Sequence, residues 1–75
     1  MQIENEFKEV LTIQVTLKAA RNNKNLNQEE AAKLIGISVE TLHNYENQKT
    51  FPDVPTIKRI EKAYGVQYAD IIFLP

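Results

Sequence analysis

The chain of 75 residues contains no cysteine, two glycines, one histidine and one serine. Without cysteine it can form neither a disulfide nor a thiolate zinc site. Two glycines are too few for a glycine-rich phosphate loop, and one serine and one histidine offer little material for a nucleophile and its base. We therefore expect no enzyme, no metal site and no cofactor.

Long apolar runs are also missing. No stretch approaches the roughly 20 residues of a membrane span, and the N-terminus lacks the basic and apolar regions of a secretory signal. Hydrophobic residues make up 43% and charged residues 25% of the chain, as in one small globular domain. We expect a cytoplasmic protein with no membrane contact, and no small-molecule ligand because the chain has no room for a sensor domain.

The formal charge of -1 is unevenly distributed. Residues 1–11 hold three glutamates and one lysine, a net charge of -2, whereas residues 12–64 hold eight basic and six acidic side chains, a net +2. We interpret residues 1–11 as an acidic N-terminal extension and residues 12–75 as the domain. The alternative is that the extension packs on a partner subunit.

The apolar periodicity and the candidate capping residues predict an all-α fold of five short helices. Thr12, Asn27, Ser38 and Asp53 can cap the first four, and Gly65 can end the fourth in the left-handed conformation. The predicted helices cover about residues 12–23, 28–35, 39–48, 54–64 and 68–73.

The spacing between residues 28 and 48 is the most informative pattern. Gln28, Ala32, Gly36, Leu42 and Tyr45 stand at relative positions 1, 5, 9, 15 and 18. A small residue at the fifth position lets two helices approach, and a glycine at the ninth can take the positive φ of a sharp turn. The pattern predicts a helix-turn-helix, whose second helix usually enters a DNA major groove.

One face of the helix at 39–48 carries side chains suited to base edges. Asn44 can bond adenine through its amide, Val39 can contact a thymine methyl, and Glu40 or Thr41 can accept from a cytosine amino group. His43 is a candidate DNA-facing donor whose protonation would strengthen attraction to phosphate. The alternative is a merely solvated face.

Further residues fall at regular places around this motif: Asn27-Gln28, Ala32, Gly36-Ile37-Ser38, Tyr45-Glu46-Asn47, Pro52 and Gly65-Val66. In this order and spacing, from about Ile13 to Phe73, they resemble the Cro/C1-type helix-turn-helix family, also called the xenobiotic-response-element family. The resemblance implies a lambda-repressor-like fold.

The resemblance also implies contacts with the DNA backbone. Gln28 matches a residue that bonds a phosphate from the start of the second helix, and Asn47, Lys49 and Thr50 match phosphate contacts of the following loop. Gln48 departs from the family pattern, since glycine is common there and a left-handed conformation would carry a cost.

Arg21 and Glu46 match a pair that the family uses as an internal ion pair. Arg21 follows Leu17 by one turn and Glu46 follows Leu42 by one turn, so each lies beside the inward stripe of its helix. We expect a partly buried bridge that fixes the angle of the third helix. The alternative is two independent surface charges.

These features predict a sequence-specific regulator of transcription that binds double-stranded DNA, as a prophage or bacterial repressor does. We expect a homodimer on palindromic half-sites, because one short helix covers few base pairs. Two alternatives remain: the antitoxin of a toxin–antitoxin pair, or a protein-interaction module that has lost DNA binding.

Overall fold

The computed structural model describes residues 15–72. Within this range the protein consists of four α-helices, a 3-10 turn and a pair of two-residue parallel strands, which confirms the predicted helical class. The helices are α1 (Leu17–Asn23), α2 (Gln28–Ile35), α3 (Val39–Glu46) and α4 (Val54–Tyr64). The 3-10 turn is Tyr68–Asp70, and the strands are β1 (Val15–Thr16) and β2 (Ile71–Ile72).

The helix at 39–48 ends at Glu46, about two residues earlier than predicted. The predicted first helix begins too early and the predicted fifth is not an α-helix within the described residues, both for the same physical reason. The first helix begins at Leu17 with Thr16 as its cap, and the predicted fifth helix is the 3-10 turn followed by β2. Val15 pairs with Ile71 in the strand register. These β-branched residues favour an extended backbone, and pairing gives their backbone groups partners that an isolated helical turn would not. The predictions for residues 1–14 and 73–75 fall outside the described residues.

The capping predictions for the middle helices are confirmed. Asn27 accepts a hydrogen bond from the backbone N–H of Glu30, which in turn accepts one from the N–H of Asn27, completing a capping box. Ser38 caps α3 and Asp53 caps α4. Hydrogen bonds from Thr56 lower the pKa of Asp53 below its usual range. The helix starts therefore follow directly from local sequence.

The turn between α2 and α3 has the geometry that the spacing predicts. Gly36 has a φ of +85°, and its N–H and that of Ile37 both bond the carbonyl of Ala32, at 2.8 and 3.0 Å. The Ala32 side chain is buried, which lets α3 pack closely on α2. This turn sets the position of α3.

The core is one cluster with the helix-turn-helix at its centre. Leu42 and Tyr45 of α3 are buried in it, as predicted, and Tyr64 and Ile60 of α4 close it from the other side. The core consists of Leu17, Ala20, Ala31, Ala32, Ile35, Leu42, Tyr45, Ile60, Tyr64 and Ile71. Of the helices within residues 15–72, none has the length and apolarity to cross a bilayer.

The hydroxyl of Tyr64 is a buried polar group that destabilises this core. Only 1% of the residue is exposed, and the phenolic oxygen has no hydrogen-bond partner among residues 15–72. A buried hydroxyl without a partner carries its desolvation cost uncompensated. We therefore expect Tyr64→Phe to be as stable as the wild type or more stable by up to ~1 kcal/mol in urea unfolding at pH 7. A clear loss of stability would contradict this account of the core.

The same hydroxyl predicts a pH dependence. Burial raises the pKa of Tyr64 to about 12, whereas an unfolded tyrosine titrates near pH 10. The folded state thus favours the neutral phenol. The free energy of unfolding is therefore unaffected by this group below pH 10 and falls between about pH 10 and 12, where the unfolded chain loses the proton more readily. We expect Tyr64→Phe to lose less stability than the wild type across this interval.

Candidate nucleic-acid interface

The outward face of α3 is open to solvent over its first two turns. Val39 is 40% exposed, and Glu40 and His43 are exposed as well. Asn44 lies beside them and is partly buried. Leu42, on the opposite face of α3, is fully buried. The structure thus brings four of the five predicted base-reading side chains onto one accessible surface.

Thr41, the fifth predicted base-reading residue, forms hydrogen bonds with the capping residue at the start of α3. Its hydroxyl accepts a hydrogen bond from Ser38 Oγ at 2.8 Å, and its backbone N–H donates to the same Ser38 Oγ at 3.0 Å. The side chain is therefore held against the cap and is only partly exposed. A base contact from Thr41 would compete with this capping contact.

A polar recess of about 350 Å³ lies beside this face, between α1, the start of α2 and α3. It brings together residues that were predicted to read bases, to contact phosphate and to form the ion pair, and that lie far apart in sequence. Its lining consists of Lys18, Arg21, Gln28, His43, Glu46 and Asn47. No group of three or more histidine, cysteine or carboxylate side chains with metal-binding geometry occurs within residues 15–72.

An ion pair between Arg21 and Glu46 closes the inner side of the recess. Arg21 Nε donates to Glu46 Oε2 at 2.6 Å and Arg21 Nη2 to Glu46 Oε1 at 3.1 Å, so the contact is bidentate. The two side chains are only 8% and 4% exposed. The hydrogen bond with Glu46 raises the pKa of Arg21 above its usual range. The pair therefore joins α1 to α3 as a buried charged unit.

Two further contacts complete this unit. Arg21 Nη1 donates to the carbonyl of Leu26 at 2.9 Å, which fixes the connection between α1 and α2. Gln28 Nε2 donates to Glu46 Oε1 at 3.0 Å. Sequence reasoning missed the Gln28 contact, because the predicted phosphate role directed that amide outward. Gln28 thus links the start of α2 to the end of α3.

The loop after α3 is held by hydrogen bonds to backbone carbonyl groups of that helix. Asn47 caps α3, and its Nδ2 donates to the carbonyl of His43 at 2.8 Å. The N–H of Lys49 bonds the carbonyl of Asn44 at 2.9 Å, and the side chains of Lys49 and Thr50 are exposed. The predicted phosphate-contact residues of the loop therefore lie next to the open face of α3.

Gln48 adopts the left-handed conformation, with a φ of +58°. This backbone region costs a residue with a Cβ about 1–2 kcal/mol. Glycine avoids this cost, but its greater conformational freedom in the unfolded chain offsets part of the gain in stability. We expect Gln48→Gly to raise the free energy of unfolding by up to ~1 kcal/mol. Asn25, with a φ of +59°, is the matched control. Asparagine tolerates this region, so Asn25→Gly should gain less, and equal gains in urea unfolding would contradict the argument.

Comparison with known proteins agrees with this geometry. A helix-turn-helix family model matches residues 17–71. The cryptic phage CTXphi transcriptional repressor RstR of Vibrio cholerae is 36% identical over 52 residues, which cover 69% of this chain. The chain spans about half the length of that curated relative, 47%. No solved structure gives a significant match. Since the family model covers most of the chain, from the start of α1 to the start of β2, the protein belongs to the Cro/C1-type helix-turn-helix family.

Proposed function

We propose that the protein is a sequence-specific regulator of transcription that places α3 in the major groove of double-stranded DNA and acts as a repressor. The observation that carries this proposal is the open face of α3, held at a fixed angle by the buried Arg21–Glu46 pair. The similarity to a phage transcriptional repressor supports repression rather than activation.

Base reading is assigned to the outward side chains of α3. The Asn44 amide can donate to and accept from adenine, and Val39 offers an apolar surface to a thymine methyl. Glu40 can accept from a cytosine amino group, and its acidity would narrow the choice of base. His43 lies one turn below Val39 on the same face and can donate to a base or a phosphate. Thr41 can contribute its methyl group while its hydroxyl stays with the cap.

Phosphate contacts are assigned to residues on either side of α3. Lys49 and Thr50 are exposed in the following loop, and Asn47 lies at the rim of the recess. Gln28 stands at the first position of α2, where helix N–H groups and the dipole favour an anion. Because its amide already bonds Glu46, a phosphate bound by Gln28 would be coupled directly to the buried pair.

A homodimer in the cytoplasm is the form that this function needs. An eight-residue recognition helix reads few base pairs, and a two-fold dimer doubles the contacts on two half-sites about 10 base pairs apart. The excess of basic residues between positions 12 and 64 is small, so precise polar contacts must supplement the general attraction to phosphate.

Selection of bound duplexes from a random library tests the proposal. We expect a palindrome with half-sites about one helical turn apart to be enriched, and affinity for it to fall steeply as salt rises. Randomised duplexes of the same length serve as the matched control for non-specific binding. The proposal would be overturned if no sequence were enriched and the protein had no affinity for any duplex at low salt.

A further inference from the structure

A second surface lies between the end of α2 and α4, separate from the recess beside α3. It is a groove of about 470 Å³ lined by Leu34, Arg59, Lys62 and Ala63, and it shares no residue with that recess. Leu34 is 60% exposed and offers the groove an apolar side chain that the proposed DNA contacts do not use. The groove therefore combines an apolar wall with two cations.

Neither Arg59 nor Lys62 forms an ion pair in the part of the chain that the structure describes, where the Arg21–Glu46 contact is the one ion pair. Asp53 is the acidic neighbour of Arg59: after the hydrogen bonds from Thr56, the charge of Arg59 also lowers the pKa of Asp53. Arg59 is nevertheless held in place: its Nε donates to the carbonyl of Ile35 at 2.7 Å and its Nη2 to Thr56 Oγ1 at 3.3 Å. A guanidinium fixed in this way presents its remaining donors in a defined direction. The groove is thus suited to an apolar segment that carries carboxylates.

A second copy of the same groove does not meet this requirement. A two-fold contact here would bring Arg59 and Lys62 against their own equivalents, and like charges facing each other oppose association. Residues 1–11 do meet it, because they combine Glu4, Glu6 and Glu9 with the apolar Ile3 and Phe7 in a segment of net charge -2. We propose that residues 1–11 bind this groove of their own chain.

The length of chain before β1 is comparable with the size of the domain. Seven residues stand between Phe7 and Val15, and the eight steps along the extended chain span about 27 Å, against a radius of gyration of about 10 Å expected for a domain of 58 residues. Tethering also gives the segment a local concentration in the millimolar range, which favours binding within one chain over binding between chains.

Paramagnetic relaxation measured by NMR on the full chain tests the proposal. A spin label on Gln2→Cys, in a chain without other cysteine, should broaden the amide signals of Leu34, Lys62 and Ala63. Adding Lys62→Glu should reduce that broadening about twofold or more, since a charge that attracts the glutamates becomes one that repels them. The matched control Lys18→Glu makes the same change beside the other recess and should leave the broadening unaltered.

A mixed sample separates the two ways in which the segment can bind. Spin-labelled chains at natural isotope abundance are added to nitrogen-15-labelled chains without the spin label, and no broadening is expected. Broadening in the mixed sample would overturn the proposal in favour of contact between copies. Absence of broadening on α2 and α4 in the singly labelled chain, or equal effects of Lys62→Glu and Lys18→Glu, would also overturn it. No DNA is present, so these outcomes are independent of the proposed function.

Discussion

Arg21→Ala is expected to lower the free energy of unfolding by about 3 kcal/mol, because it leaves the Glu46 carboxylate buried without its cation. For a domain of this size that corresponds to a fall in melting temperature of about 12–24 °C. The substitution also removes the contact with the Leu26 carbonyl, which adds to the loss. Thermal and urea unfolding followed by circular dichroism measure the effect.

Two controls separate the buried pair from general effects of losing charge. Lys33→Ala removes an exposed cation from α2 and should change stability by less than about 0.5 kcal/mol. The double variant Arg21→Ala/Glu46→Ala should lose less than the sum of the single losses, because it leaves no unpaired charge in the interior. An unchanged melting temperature for Arg21→Ala would show that the pair is energetically equivalent to a surface contact.

Asn44→Ala is expected to weaken binding to the selected duplex by about 1–3 kcal/mol, or roughly 5- to 150-fold in dissociation constant. The asparagine amide can form two hydrogen bonds to one adenine, and alanine can form neither. Affinity for randomised duplexes should stay nearly the same, since a base contact contributes little to non-specific binding. Fluorescence anisotropy on both duplexes measures the two affinities.

Lys49→Ala is the matched comparison, because its effect should be uniform. Loss of one phosphate contact should weaken binding to every duplex and reduce the slope of log affinity against log salt by about 1. Asn44→Ala should leave that slope unchanged. If Asn44→Ala bound the selected duplex as tightly as the wild type, the assignment of Asn44 as a base-reading residue would be wrong.

The parts of the fold that local sequence determines were the ones that could be predicted. Asn27, Ser38 and Asp53 cap helices, and Gly36 and Gly65 take positive φ, because each depends on the chemistry of a few neighbouring residues. Strand pairing is different: the two-residue strands exist because Val15 pairs with Ile71, which lies near the other end of the described sequence. Helical spacing alone therefore extended both terminal helices too far.

The candidate site shows the same division. Helical geometry was enough to place Asn44 and His43 on an open face and Leu42 in the core. It did not indicate that Gln28 bonds Glu46, or that Thr41 bonds the cap, because the directions of these polar side chains depend on the packing of α2 and α3. The cationic groove beside Leu34 also depends on packing, since its members come from two helices.

Titration of the nitrogen-15-labelled chain with its selected duplex tests most directly whether α3 enters a DNA groove. We predict that the largest shifts of backbone and side-chain signals occur at Val39, Glu40, His43 and Asn44, with smaller ones at the start of α2. Leu34 and Lys62, which line the separate groove between α2 and α4, should move little. Large shifts confined to the groove at Leu34 and Lys62, with the signals of α3 unchanged at saturation, would contradict the account.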